Sequence, residues 1–253
     1  MEKYFTCTAI QKVLSALPPK IFFLSLLLCC KVFEGHATAW TTVTAGPVTT
    51  LTNWSDGTTS PSSFTTPGDT WTVTLAMTQS SSSLSWVVGS PSSTAVTVTF
   101  STGGSVTMSG AGSVFPDTVY GNVIINGGTF SLGGAGTTAN TYIYGNVTFN
   151  SGTISSVAST TIFNLNVYGN LTMSGGTVLS SGAGSKITSN IHGKFVMTGG
   201  LFSTAGSAGG VVIHNVFGDC SYSGTAAMTL TAGGSSVTVH LCLPAASGTM
   251  LID

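Results

Sequence analysis

The 253-residue chain carries six lysines, no arginine and seven acidic residues; charged side chains make up only 5% of it, while 42% is hydrophobic and 33 positions are glycine. With no basic patch, sequence-independent attraction to nucleic acid or to an anionic membrane surface is not expected. The apolar residues are abundant and strictly patterned, which excludes a disordered chain despite the sparse charge.

Lys3, Lys12 and Lys20 precede an apolar run at 21–28, and Ala37-Thr38-Ala39 then supplies the small-x-small pattern cut by signal peptidase. Residues 1–39 therefore read as a secretory signal peptide, with the mature chain starting near Trp40 in the extracellular space or at the cell surface. The apolar run is short for a bilayer span, so no membrane span is expected in the mature chain. Removing the leader leaves Lys186 and Lys194 against Asp56, Asp69, Asp117, Asp219 and Asp253. The outer surface must then consist of hydroxyls, amides and backbone.

Residues 40–70, with Trp54, Pro61, Phe64, Pro67 and Asp69 at irregular spacings, predict an N-terminal cap over an otherwise open end. Serine-rich stretches at 80–83 and 89–93 are loops. From residue 71 a repeat takes over. Its markers are Tyr120-Gly121-Asn122-Val123, Tyr144-Gly145-Asn146-Val147, Tyr168-Gly169-Asn170-Leu171, His192-Gly193-Lys194-Phe195 and Phe217-Gly218-Asp219-Cys220, with glycines 24, 24, 24 and 25 residues apart. A second marker keeps a fixed offset: Gly127-Gly128, Ser151-Gly152, Gly175-Gly176, Gly199-Gly200 and Ser223-Gly224.

Within each copy the apolar residues alternate, as in Val123 and Ile125, Val147 and Phe149, Leu171 and Met173, Phe195 and Met197. Period two means strand. Two further apolar columns, through Phe130, Ile154, Val178 and Phe202 and through Val119, Ile143, Val167, Ile191 and Val216, give three strand segments per repeat. Twenty-four residues trace roughly 80 Å of extended chain, one turn of a three-sided coil, and coils stacked about 4.8 Å apart pair every strand with its equivalents above and below. The expected fold is all-β: a single-stranded parallel β-helix (β-solenoid) of about seven coils over residues 71–253. Corner glycines are expected to supply positive φ, and Asn122, Asn146 and Asn170 an amide ladder. Val237 and Val239 mark a strand near the C-terminal end, where no charged or helical cap follows.

Candidate chemistry is thin. Cys220 and Cys242 stand nearly one period apart and are candidates for a disulfide between coils. His192, His214, His240, Asp117 and Asp219 supply residue types for a hydrolase, yet no Gly-x-Ser-x-Gly elbow accompanies them. His192 occupies the tyrosine column and reads as a stacked ring. Lys194 and Asp219 fall in neighbouring coils and are expected to pair. No acidic cluster and no close cysteine or histidine pair points to a metal, and no cofactor is expected. Tyr120, Tyr144 and Tyr168 point outward and form a candidate glycan-binding column; as a bland alternative they brace the coil corners beside the glycines. Flat threonine ranks are a candidate surface for ice. Asn53, Asn146 and Asn170 match the glycosylation pattern, two of them as part of the repeat.

Asn53-Trp54-Ser55-Asp56-Gly57, followed by Pro61-Ser62-Ser63-Phe64-Thr65 and Gly68-Asp69-Thr70-Trp71-Thr72-Val73, resembles the opening module of secreted β-solenoid surface proteins common in Bacteroidota. The Gly-Asn-Val-Thr and Gly-Gly-Thr repeats resemble their continuation. The resemblance covers most of the mature chain and implies an adhesin-like structural role outside the cell.

The expectation is a non-catalytic extracellular structural protein, a surface or fibre subunit that self-associates head to tail as a homo-oligomer and touches glycans or cell surfaces. The alternative is a carbohydrate-binding or carbohydrate-active β-helix, a lyase or hydrolase. Such enzymes gather acids and bases along one groove, so the two readings part on whether the scattered charges converge.

Overall fold

The computed structural model describes residues 37–80, 85–93, 95–180, 182–204, 210–230, 236–240 and 250–252. The chain is a parallel β-solenoid, close to the seven coils that the period predicts. Among the described residues two of the three faces belong to one 16-stranded sheet and the third is a 7-stranded sheet. Among the described residues the one helical element is a 3-10 turn at Leu51–Asn53.

One repeat shows why the residues fold this way. Val147–Ser156 runs along the first face and turns at Gly152 onto the second; Ile162–Val167 then makes the third. Val123, Val147, Leu171 and Phe195 stack in register on the first face. Phe130, Ile154 and Val178 stack on the second, and Val119, Ile143, Val167, Ile191 and Val216 on the third. Alternation points each of these columns inward, where they fuse into one continuous core. Phe202 shares the second-face register through its backbone.

Glycine serves two different purposes. The second-marker glycines Gly127, Gly152, Gly176, Gly200 and Gly224 have positive φ, as expected of corner residues. The first-marker glycines do not. A Cβ on Gly145 or Gly169 would stand 2.4 Å from the carbonyl oxygen of the glycine one coil below, to which the residue's own N–H donates. Close backbone approach, rather than left-handed φ, is why Gly121, Gly145, Gly169, Gly193 and Gly218 recur.

At the N-terminal end, residues 40–70 build more than an irregular cover. Ala39–Thr42 pairs in parallel with Thr70–Val73, and Gly46–Pro47 with Ala76–Gln79, so a rung precedes Trp71 on two faces. Trp54–Ser55 then returns antiparallel against the outer edge of Ala39–Thr42. All four tryptophans meet there: Trp54 lies 5.3 Å from Trp71 and 6.0 Å from Trp86, Trp40 stacks on Trp71 at 5.8 Å, and Phe64 fills between at 4.7 Å from Trp71.

Three bonds close polar groups along the edge at this end. Val43 N–H donates to the Asn53 carbonyl, Asn53 Nδ2 to the Pro47 carbonyl at 2.9 Å, and Trp54 Nε1 to the Val48 carbonyl at 3.0 Å. On the third face Gly89 N–H donates to the Phe64 carbonyl. Pro47 has no N–H to offer, and the first strand of the third face, Val87–Val88, is two residues long. Short strands, proline and a covering segment are the devices that blunt a sheet edge against further pairing.

Candidate functional site

The tyrosine column is real and outward, at the corner between the third and first faces. Rings of Tyr120, Tyr144, Tyr168, His192 and Phe217 stack with centroids 4.8, 4.7, 4.8 and 4.9 Å apart, the last three pairs within 8° of parallel. Tyr144 and Tyr168 are exposed by 41% and 44%. The spacing is the strand spacing itself, because each ring is carried by the residue just before a first-marker glycine. Sugar recognition by aromatic residues uses the ring face. In this ladder the faces of Tyr144, Tyr168 and His192 are covered by their neighbours, which leaves ring edges and phenol hydroxyls for any ligand. His192 is therefore a stacked ring, with no acid beside it in the column.

Asn122, Asn146 and Asn170 form a ladder of a different kind from the one expected. Each side-chain Oδ1 accepts the backbone N–H of the residue one coil on: Asn146 N–H to Asn122 at 2.9 Å, Asn170 N–H to Asn146 at 2.8 Å, Lys194 N–H to Asn170 at 2.8 Å. The corner turns these backbone donors away from the regular ladder, and the side chain takes over as acceptor. Amide-to-amide ladders occur elsewhere. Asn164 donates to Asn140 at 2.8 Å, Asn190 to Asn166 at 2.9 Å and Asn215 to Asn190 at 2.8 Å on the third face, and Asn150 to Asn126 at 2.7 Å beside the first corner. Their spacing by 24 or 25 residues was legible in the repeat frame.

The third face also holds an interior polar column that periodicity of apolar residues does not reveal. Asp117, Thr141, Leu165, Ser189 and His214 lie in register, one per coil, and all five are buried. Asp117 Oδ1 accepts from Gln79 Nε2 at 2.9 Å and from Trp86 N–H at 2.8 Å. Burial outweighs those bonds and pushes the carboxyl up to about 6. Its Oδ2, Thr141 Oγ1 and Trp86 Nε1 have no hydrogen-bond partner among the described residues, and all three residues line one cavity of about 40 Å³, otherwise walled by apolar side chains. That volume accommodates a water molecule. At the other end of the column His214 stacks on Phe195 at 6.1 Å, and burial alone lowers its pKa to about 3.

Among the described residues the remaining candidates do not converge. Asp117 and His214 are four rungs apart, roughly 19 Å at the usual strand spacing, and both face the core. Asp219 pairs with Lys194 at 3.4 Å, both side chains well exposed. Cys220 is buried in the first-face column above Phe195; Cys242 and the side chain of His240 lie outside the described residues, as does most of the leader at 1–36. Asn53 is buried with its amide on Pro47, so of the three glycosylation patterns only Asn146 and Asn170 reach solvent. No three His, Cys, Asp or Glu side chains gather to hold a metal ion among the described residues, and no helix there is long and apolar enough to cross a membrane. No family model, curated protein or solved structure matches the chain.

Proposed function

We propose that this chain is a non-catalytic structural subunit, an extracellular solenoid that displays regular outer columns. The observation that carries the reading is the outward ladder of rings from Tyr120 to Phe217, which repeats once per coil. The N-terminal edge is covered by an antiparallel strand and by side chains that take up its carbonyls.

Head-to-tail fibre growth needs a free edge at both ends, and the closed N-terminal end argues against it. The inside-facing acids and histidine, and ring faces spent on one another, support a scaffold over a carbohydrate-active or sugar-stacking protein.

Light scattering on the exported protein across a hundredfold concentration range tests this. The mass of one chain throughout is expected, and long filaments would favour head-to-tail growth. Release of reducing sugar from any of a panel of neutral and acidic polysaccharides would overturn the non-catalytic reading.

A further inference from the structure

Asp69, immediately before Thr70–Val73, is 1% exposed. Its carboxylate receives two neutral donors: Thr38 backbone N–H to Oδ1 at 2.8 Å and Trp40 Nε1–H to Oδ2 at 2.7 Å. Among the described residues the ion pair is Lys194 with Asp219, far along the coil, and no cation there serves Asp69. A buried carboxylate loses its hydration, and neutral donors offset that loss less well than a cation does.

One of the two donors is a backbone nitrogen close to where a leader would be cut. Gly35-His36-Ala37 is a small-x-small triplet two residues upstream of Ala37-Thr38-Ala39. Ala37 is exposed, and the compact unit of the fold begins at Ala37. We propose that the leader is removed between Ala37 and Thr38, and that the α-ammonium created on Thr38 is the cationic partner of Asp69.

The proposal rests on the secretion reading and shifts its cut by two residues. In the step, water adds across the Ala37–Thr38 peptide bond under a signal-peptidase-type protease. Its oxygen stays on the Ala37 carbonyl carbon as a carboxylate, and the released Thr38 nitrogen takes up protons to become an ammonium. That nitrogen already stands at hydrogen-bond distance from Oδ1, so the pair forms without moving the chain. A cut after Ala39 would instead remove this donor, the Thr70 N–H to Thr38 carbonyl bond of 2.9 Å and the Ala39–Thr70 strand pair. It would dismantle part of the rung it releases.

The test is to export the full chain with its own leader from a secreting bacterial host and to sequence the N-terminus of the recovered protein. Thr38 is expected. A start at Trp40 overturns the proposal and leaves secretion standing; a chain kept inside the cell with its leader attached overturns both. The ion pair is read separately, by comparing thermal midpoints of protein starting at Thr38 with protein starting at Ala37, which moves the charge one residue away. The Thr38 form is expected to melt several degrees higher, and Asp69→Asn to abolish the difference. Equal midpoints for the two starts, or a difference that survives in Asp69→Asn, would refute the pairing; if Asp69→Asn does not fold, the comparison of the two starts decides alone.

Discussion

The coils between residues 121 and 200 and the rungs at the N-terminal end solve the same problem, covering apolar core and strand edges, by opposite means. In the middle every residue has an equivalent above and below, so each column shares its burden among copies. At the end each contact occurs once: one antiparallel strand, one tryptophan cluster, one asparagine and one indole closing two carbonyls. Repetition makes the middle tolerant and leaves the end dependent on a few side chains. This follows for any stacked-coil protein whose terminal repeat must differ from the rest.

The comparison is broken most severely at Trp54. It is fully buried against Trp71, Trp86 and Phe64, and Trp54→Ala is expected to cost about 3–5 kcal/mol, read by urea denaturation. It also removes the donor to the Val48 carbonyl, so new association through the N-terminal edge should appear in light scattering.

The interior polar column links the two regions and is sharpened by pH. Asp117 rises from 3.8 to about 6, so its folded form holds the proton more tightly. Its contribution is full below about pH 4 and is lost as pH rises to 6. His214 falls from 6.5 to about 3, so its contribution is full above 6.5 and is lost as pH falls. At about 1.4 kcal/mol per pKa unit, each group accounts for a few kcal/mol, with opposite sign between about pH 4 and 6. Asp117→Asn is expected to expose a steeper acid loss, and His214→Leu a gain of stability on going from pH 6 to 4. Denaturation midpoints measured across that range check both signs.

Gly169→Ala tests the repeat itself. The added Cβ would meet the Gly145 carbonyl oxygen at 2.4 Å and Asn146 Oδ1 at 2.7 Å, and overpacking of this kind costs about 1–3 kcal/mol. Gly57→Ala, where a Cβ meets nothing within 4 Å though φ is +98°, separates steric from backbone strain. The smallest effect is expected in the ladder: Tyr144→Ala removes one of five stacked rings and about 0.5–1.5 kcal/mol, far less than the same truncation among the tryptophans.

What the sequence shows and what it hides divides along the same line. The coil, the three faces and the inward columns are all periodic, so Val123, Val147 and Leu171 announce themselves in lines of 24. Asn166, Asn190 and Asn215 share that period but sit three residues before the marker glycines, between the inward apolar positions. Asp117 and His214 can be weighed by residue type without being placed in the frame; placed there, they fall on one inward column. The cap is different in kind. Its bonds from Asn53, Trp54 and Asp69 join residues with no repeat to align them, so nothing short of the folded chain reveals them.

Hydrogen exchange resolved along the chain tests the closed N-terminal end most directly. Amides of Val43, Val48 and Gly89, each donating to a backbone carbonyl at 2.8–2.9 Å, are expected to exchange as slowly as those of Val147 and Leu171 in the middle coils. Exchange there as fast as in the exposed turn at residues 56–59 would mean that the first rung opens freely, and would contradict the account.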